Sequence, residues 1–231
     1  MSVQIHSINE WAWSAGKRAI SLFSNYDIKN FAHKKPILFV GGVHGDEPEG
    51  VRLAEELLEH LKKTPYPNTN WVLIPCLNPD GYEKNQRVNG NGVDLNRNFP
   101  SMCWTDEFEK DRYFPGKKPG SEPEVSALVK LIAKVKPQLI VHFHSWKPCI
   151  VYSNEKAKET ANMFSGICDY PVQSDIGYPT PGSLGEYAGN DLNLGVICIE
   201  EKEGVALNTV FPRFKTAFEI LLEGEMDENL V

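Results

Sequence analysis

Predominantly apolar runs punctuate the chain at Pro36-Ile37-Leu38-Phe39-Val40, Trp71-Val72-Leu73-Ile74-Pro75-Cys76-Leu77, Gln138-Leu139-Ile140-Val141-His142-Phe143-His144 and Gly195-Val196-Ile197-Cys198-Ile199-Glu200. Short runs of this kind, rich in β-branched and aromatic residues and bounded by turn signals, predict buried strands. Cys149 to Tyr152 predicts a further short strand. Between the runs the period changes. Val51, Ala54, Leu58 and Leu61 recur at spacings of three and four, as do Val125, Leu128, Ile132 and Val135, and then Phe211, Phe214, Phe218 and Leu221. That spacing puts an apolar stripe along an α-helix. Residues 155–168 read as helical too.

Breakers and caps set the boundaries. Pro48 and Pro123 suit the first turn of a helix, where a missing N–H costs nothing. Ser121 and Glu124 have the spacing of a capping box. Pro75 suggests that the second strand is an edge strand or carries a bulge near its end. Residues 78–119 form a long, polar, glycine-containing excursion, too patterned for disorder, that opens on the turn signal Asn78-Pro79-Asp80-Gly81. Gly177 to Ser183 reads as a rigid loop with mobile ends. Strands alternating with helices predict the α/β class, as one α/β/α sandwich domain over residues 1–231 on a mixed, mostly parallel twisted sheet. Residues 1–35 show no clear period and are expected to be a peripheral segment with some helix or strand, since Trp11, Trp13 and Phe23 need a packing surface.

Composition narrows the partners. The 231 residues carry a net charge of -7, and no Lys/Arg cluster exceeds a pair such as Lys34-Lys35, Lys62-Lys63 or Lys117-Lys118, so nothing resembles a nucleic-acid footprint. No segment approaches the roughly 18 apolar residues of a membrane span, and Met1-Ser2-Val3-Gln4-Ile5-His6 lacks a charged n-region followed by an apolar core. The expectation is a soluble, cytoplasmic protein that binds neither nucleic acid nor membrane. The 5 cysteines are scattered without a C-x-x-C pair, which argues for free thiols rather than disulfides or a thiolate metal site.

Candidate chemistry gathers at strand ends. His44 and Glu47 lie in Gly41-Gly42-Val43-His44-Gly45-Asp46-Glu47, where the first strand gives way to a helix, and an imidazole and a carboxylate three residues apart can reach one cation. His144 and Glu200 close two other apolar runs. In an open α/β sheet, ligands bind at the carboxyl ends of strands, so neighbouring parallel strands would bring two imidazoles and two carboxylates to one edge. That set suits a His2Glu zinc site with a general base beside it. Each member also has an ordinary reading: a helix cap, a surface acid, or a core histidine at His142 or His144, and Glu201 is an alternative base to Glu200.

The order of motifs then becomes specific. H-x-x-E at His44 and Glu47, N-P-D-G from Asn78, G-V-D-L-N-R-N-F from Gly92, an apolar strand ending in His144-Ser145, and I-C-I-E ending at Glu200 together resemble the zinc metallocarboxypeptidases of the carboxypeptidase A type. The resemblance covers residues 36 to 201. In G-x-H-G-D-E, K-P-G-S-E-P-E, G-Y-x-T-P-G-S and D-L-N-L the chain is similar to members of that family that act on murein peptides. It implies His44, Glu47 and His144 as ligands of one Zn2+ per chain, Glu200 as general base, and Arg87 as the group that stabilises the oxyanion. It further implies Asn96 and Arg97 as the grip on a substrate carboxylate, Tyr178 as a substrate-side tyrosine, and Asp94 as the carboxylate orienting a ligand histidine. The implied activity is hydrolysis of the γ-D-glutamyl-meso-diaminopimelate bond of a small anionic murein tripeptide in peptidoglycan recycling. Trimming of ordinary peptide C-termini is the alternative within the same chemistry, and a non-catalytic peptide-binding module the alternative outside it. Oligomeric state is not legible.

Overall fold

The apolar runs pair with one another. In the computed structural model, which describes residues 4–29 and 34–224, they form the centre of a mixed sheet. The chain begins with β1 (His6–Trp13) and β2 (Ala19–Ser24), and continues through β3 (Ile37–Val40), α1 (Pro48–Lys63), β4 (Trp71–Ile74), α2 (Pro79–Lys84) and α3 (Pro123–Val135). It then runs through β5 (Leu139–Trp146), β6 (Cys149–Tyr152), α4 (Lys158–Cys168), β7 (Val172–Gln173), β8 (Gly195–Lys202) and α5 (Val210–Glu223). The 8-stranded sheet has the order β1-β2-β4-β3-β5-β8-β6-β7. The strands β4, β3, β5 and β8 are parallel neighbours, while β1, β2 and β6 enter antiparallel.

Alternation along the parallel strands divides the core. Phe39, Val141, Phe143, Ile197 and Ile199 face α1, α4 and α5, whereas Leu38, Val40, Ile140 and Val196 face α3. On the first face the ring of Phe218 meets Phe39 and Phe143 edge-on at centroid distances of 6.0 and 5.9 Å. Truncating such a ring to alanine costs about 3–5 kcal/mol. α1 reaches β5 closely because Gly50 has no side chain: a Cβ there would sit 2.5 Å from the Phe143 carbonyl oxygen. That approach carries the first turn of α1 to the end of β5.

Four local expectations change. Residues 4–29 are not merely peripheral, since β2 pairs with β4 and extends the sheet. For the same reason β4 is not an edge strand; it lies between β2 and β3, and Pro75 follows its last residue, where no ladder N–H is needed. The capping box at Ser121 does not form, because Glu122 is the N-cap of α3 and the Glu124 carboxylate instead accepts the N–H of Ala15 at 2.8 Å. Asn78 opens a short helix rather than only a turn, its side chain accepting the Gly81 N–H at 2.9 Å.

Candidate active site and metal centre

Because β3, β5 and β8 are adjacent and parallel, their carboxyl ends share one edge of the sheet. His144 and Glu200 are register partners there, each two residues short of its strand's end, and His44 stands in the loop beyond Val40 rather than on the strand itself. Gly42 turns that loop at φ +60, a value that favours glycine. Glu47 is the N-cap of α1 yet its side chain caps nothing, which leaves the carboxylate free to face the histidines.

The three side chains converge. His44 Nδ1 lies 2.7 Å from Glu47 Oε1, His144 Nδ1 lies 2.8 Å from Glu47 Oε2, and the two Nδ1 atoms are 3.0 Å apart. All three residues are buried. Burial opposes a carboxylate, yet His44 and His144 outweigh it and hold the Glu47 carboxyl well below its usual range. Burial and Arg87 disfavour the His44 cation, but Glu47 and Asp94 prevail and its pKa is raised; for His144 burial wins and the pKa falls. Two facing imidazole nitrogens and a carboxylate are a suitable donor set for a cation, and their spacing approaches the roughly 3.3 Å edge of a tetrahedral site with ligands at about 2.0 Å.

Outer partners orient the donors. His44 Nε2 lies 3.1 Å from Asp94 Oδ1, and Arg87 Nε donates to Asp94 Oδ2 at 2.8 Å while its Nη1 lies 3.3 Å from Glu47 Oε1. After the cost of burial, Arg87 and His44 keep the Asp94 carboxyl far below its ordinary value. His144 Nε2 lies 2.9 Å from Nδ1 of His142. Such partners fix ring orientation and tautomer in metal-binding histidines. Glu49, also buried, accepts from the Ser145 hydroxyl and from the Gly204 N–H, both at 2.7 Å, and so ties the end of β5 to α1 and to the turn after β8.

The two candidate bases separate cleanly. Glu200 shares the face of His142, His144 and Cys198 and borders the cleft; burial and then the charge of Glu47 push its carboxyl up to about 8. Glu201 points to the opposite face, toward Tyr170 and Arg213, and is removed from the cleft.

The cleft encloses about 950 Å³. Asn96 and Arg97 line it from the polar excursion: Asn96 Oδ1 accepts the Leu184 N–H at 2.9 Å, which leaves its amide donors toward the cleft, and Arg97 Nη1 is held by the Asn96 carbonyl at 2.8 Å. Tyr178 also lines it, 43% exposed, its ring edge-on to Trp146 at 5.8 Å. Residues that sequence reasoning did not assign also appear. The Tyr113 ring has the guanidinium carbons of Arg87, Arg97 and Arg112 at 5.3, 5.8 and 5.6 Å, so one aromatic spaces three cations. No sequence spacing announces that cluster. His142 had a signal, its two-residue offset from His144, but no assigned role.

Comparison with known proteins places the chain. The sequence pattern of the zinc carboxypeptidase family matches residues 4–195. Murein peptide amidase A of Escherichia coli K12 is 36% identical over 180 residues, 73% of this chain and 72% of that protein. The Vibrio campbellii protein of the same name is 29% identical over 201 residues, 82% of this chain and 78% of that protein. Among solved structures, murein-tripeptide amidase from Escherichia coli O157 superposes with a TM-score of 0.75 at 29% identity, covering 94% of this chain and 91% of that one. Carboxypeptidase A of Helicoverpa armigera superposes with a TM-score of 0.78 at 20% identity, covering 96% and 68%, a likeness of fold alone.

Proposed function

This chain belongs to the zinc carboxypeptidase family, and from that membership we propose that it is an amidase hydrolysing the γ-D-glutamyl-meso-diaminopimelate bond of murein tripeptide, with one Zn2+ held by His44, Glu47 and His144. The observation that carries the chemistry is the buried convergence of those three donors beside Glu200, whose carboxyl burial and the charge of Glu47 push up against the weaker pull of His44 and Arg87. The substrate follows from the likeness to murein peptide amidases over most of both chains.

Held by His44, Glu47 and His144, zinc would supply Lewis acidity at the scissile carbonyl and lower the pKa of the attacking water toward about 7. Glu200 takes one proton of the attacking water on a carboxylate oxygen as the water oxygen bonds to the carbonyl carbon. It returns that proton to the departing nitrogen as the C–N bond breaks. Arg87 offers hydrogen-bond donors to the negative charge that develops on the carbonyl oxygen. Arg97, beside the amide donors of Asn96, matches the free carboxylate of the leaving residue with a planar fork. Asp94 and His142 hold the two ligand imidazoles in register, and Tyr178 lies across the cleft where it can close on substrate.

A net charge of -7 makes the Arg87, Arg97 and Arg112 cluster a local attractor for an anionic peptide. The five free cysteines, Cys76, Cys103, Cys149, Cys168 and Cys198, suit a reducing compartment, and the proposal places the enzyme in the cytoplasm, in peptidoglycan recycling. Among the described residues no helix is long and apolar enough to cross a membrane.

The test is mass spectrometry of products from the zinc-loaded protein given L-Ala-γ-D-Glu-meso-diaminopimelate beside a panel of ordinary L-peptides. Free diaminopimelate from the tripeptide alone is expected. Trimming of the ordinary peptides with the tripeptide untouched would overturn the substrate while leaving the chemistry.

A further inference from the structure

His142 lines the cleft one pleat below His144, on the same face and about 6–7 Å further down the strand. Its register partner is Cys198, and Cys198 in turn pairs with Val151. The floor of the cleft at this level is therefore apolar or weakly polar, and Ile176 packs against the same Cys198 and Val151 cluster. Into that floor is set one strong hydrogen-bonding group that has no partner among the described residues: Nε2 of His142, buried and unsatisfied. Buried polar atoms in folded proteins nearly always have a partner, so an orphan beside a ligand cleft points to the ligand.

The tautomer says what the orphan offers. If a cation takes Nδ1 of His144, the proton on that ring sits on Nε2 and is donated to His142 Nδ1 at 2.9 Å. His142 then carries its own proton on Nε2, a donor. The arrangement suits a leaving residue whose alkyl stem lies against Val151, Cys198 and Ile176 and whose far end carries an oxygen acceptor. We propose that His142 is the specificity-determining residue of the cleft, donating Nε2–H to an acceptor at the far end of the leaving residue's side chain. In the substrate proposed above, on which this inference rests, that acceptor is the distal carboxylate of diaminopimelate. His142, His144 and Cys198 also offer three donor atoms close together, but a cation there would compete for the His144 imidazole already engaged on both sides.

Two variants separate reading from positioning. Asparagine places its carbonyl near the position of the imidazole Nδ1, so His142→Asn keeps an acceptor for His144 and loses the distal donor; His142→Ala loses both. The measurement is kcat and KM for murein tripeptide and for the same peptide ending in L-lysine, which has the ammonium but lacks the distal carboxylate, with zinc content determined for each protein. The wild type is expected to favour the diaminopimelate peptide, and His142→Asn to retain zinc while lowering that preference about tenfold or more, mainly through KM. His142→Ala is expected to lose the same preference and to bind zinc more weakly as well. A His142→Asn protein with full zinc and an unchanged preference overturns the inference. A wild type that cleaves neither tripeptide overturns the proposed function first. Should His142→Asn fail to hold zinc, nitrogen-15 spectra of the wild type decide: a His142 Nε2–H resonance that shifts with free diaminopimelate and not with lysine supports the inference, and one that ignores both sinks it.

Discussion

On the cleft face of β8, Glu200 has among the described residues one weak hydrogen-bond partner, the Cys198 thiol, which donates at 3.4 Å, and its carboxyl is pushed up to about 8. One residue further, on the helix-packed face, Glu201 accepts the Tyr170 hydroxyl, the Lys202 N–H at 2.7 Å and Arg213 Nε at 3.2 Å. Backbone, strand and burial are shared, so what differs is satisfaction. A carboxylate held by three donors is fixed in place, whereas one left nearly bare at the edge of a cleft is ready to exchange a proton. The same contrast recurs in β5, where Ser145 is tied to Glu49 on the packed face and His142 is left with an orphaned nitrogen on the cleft face.

The sharpest way to break the contrast is at the cation site. His144→Ala removes one of three converging donors, and elemental analysis should find no retained zinc and no residual hydrolysis. Full zinc in that variant would strike His144 from the ligand set. Next comes Glu200→Gln, which preserves shape and removes the proton acceptor: zinc should remain, and kcat should fall by about 10²–10⁴. Equal activity would remove Glu200 from the mechanism.

The unliganded carboxyl also leaves a trace in stability. Its pKa is raised from 4.5 to about 8, so in zinc-free protein the native state retains a proton that the unfolded chain has released between those values. Stability then falls as pH rises through that window and levels off above it. Glutamine has no such term. Urea unfolding of zinc-free wild type and Glu200→Gln should agree near pH 4 and diverge above it, the variant becoming the more stable by up to roughly 5 kcal/mol near pH 9. Parallel curves would mean that the carboxyl finds a partner in solution.

Arg87→Ala tests the cleft wall rather than its centre. It deletes donors aimed at the developing oxyanion, for an expected loss of about 10²–10³ in kcat. It also strips Asp94, fully buried, of its Arg87 partner, so the variant should bind zinc more weakly through His44, a coupling that sequence spacing alone did not predict.

Much of this geometry is legible in the sequence. The apolar runs marked β3, β4, β5 and β8, and parallel neighbours make strand ends converge, which brings His44, Glu47, His144 and Glu200 to one edge; choosing them over His142 and Glu201 rested on the family resemblance. The hairpin of β1 and β2 was hidden because β1 is half exposed with no clean alternation, and in β2, whose burial does alternate, the apolar Phe23 takes an outward position while Ser24 takes a buried one. The capping box failed for a different reason: Ser121 and Glu124 each found longer-range partners, Asn98 and Ala15. Alternation guarantees that Glu200 and Glu201 face opposite ways, but which face is the cleft depends on the His144 to Glu200 register, a long-range fact. Likewise the three arginines around Tyr113 are gathered by the fold of the excursion and share no periodicity.

The smallest effect on catalysis belongs to the satisfied member of the pair. Glu201→Gln keeps the side chain's size but replaces one acceptor oxygen with an amide donor that faces Tyr170 or Arg213. The fold should lose about 1–3 kcal/mol, read as a lower urea midpoint with unchanged slope. Because Glu201 borders the helices and not the cleft, kcat and zinc content should stay near wild type. A large fall in kcat with no loss of stability would reverse the assignment, making the well-held carboxylate the functional one and the argument from satisfaction wrong.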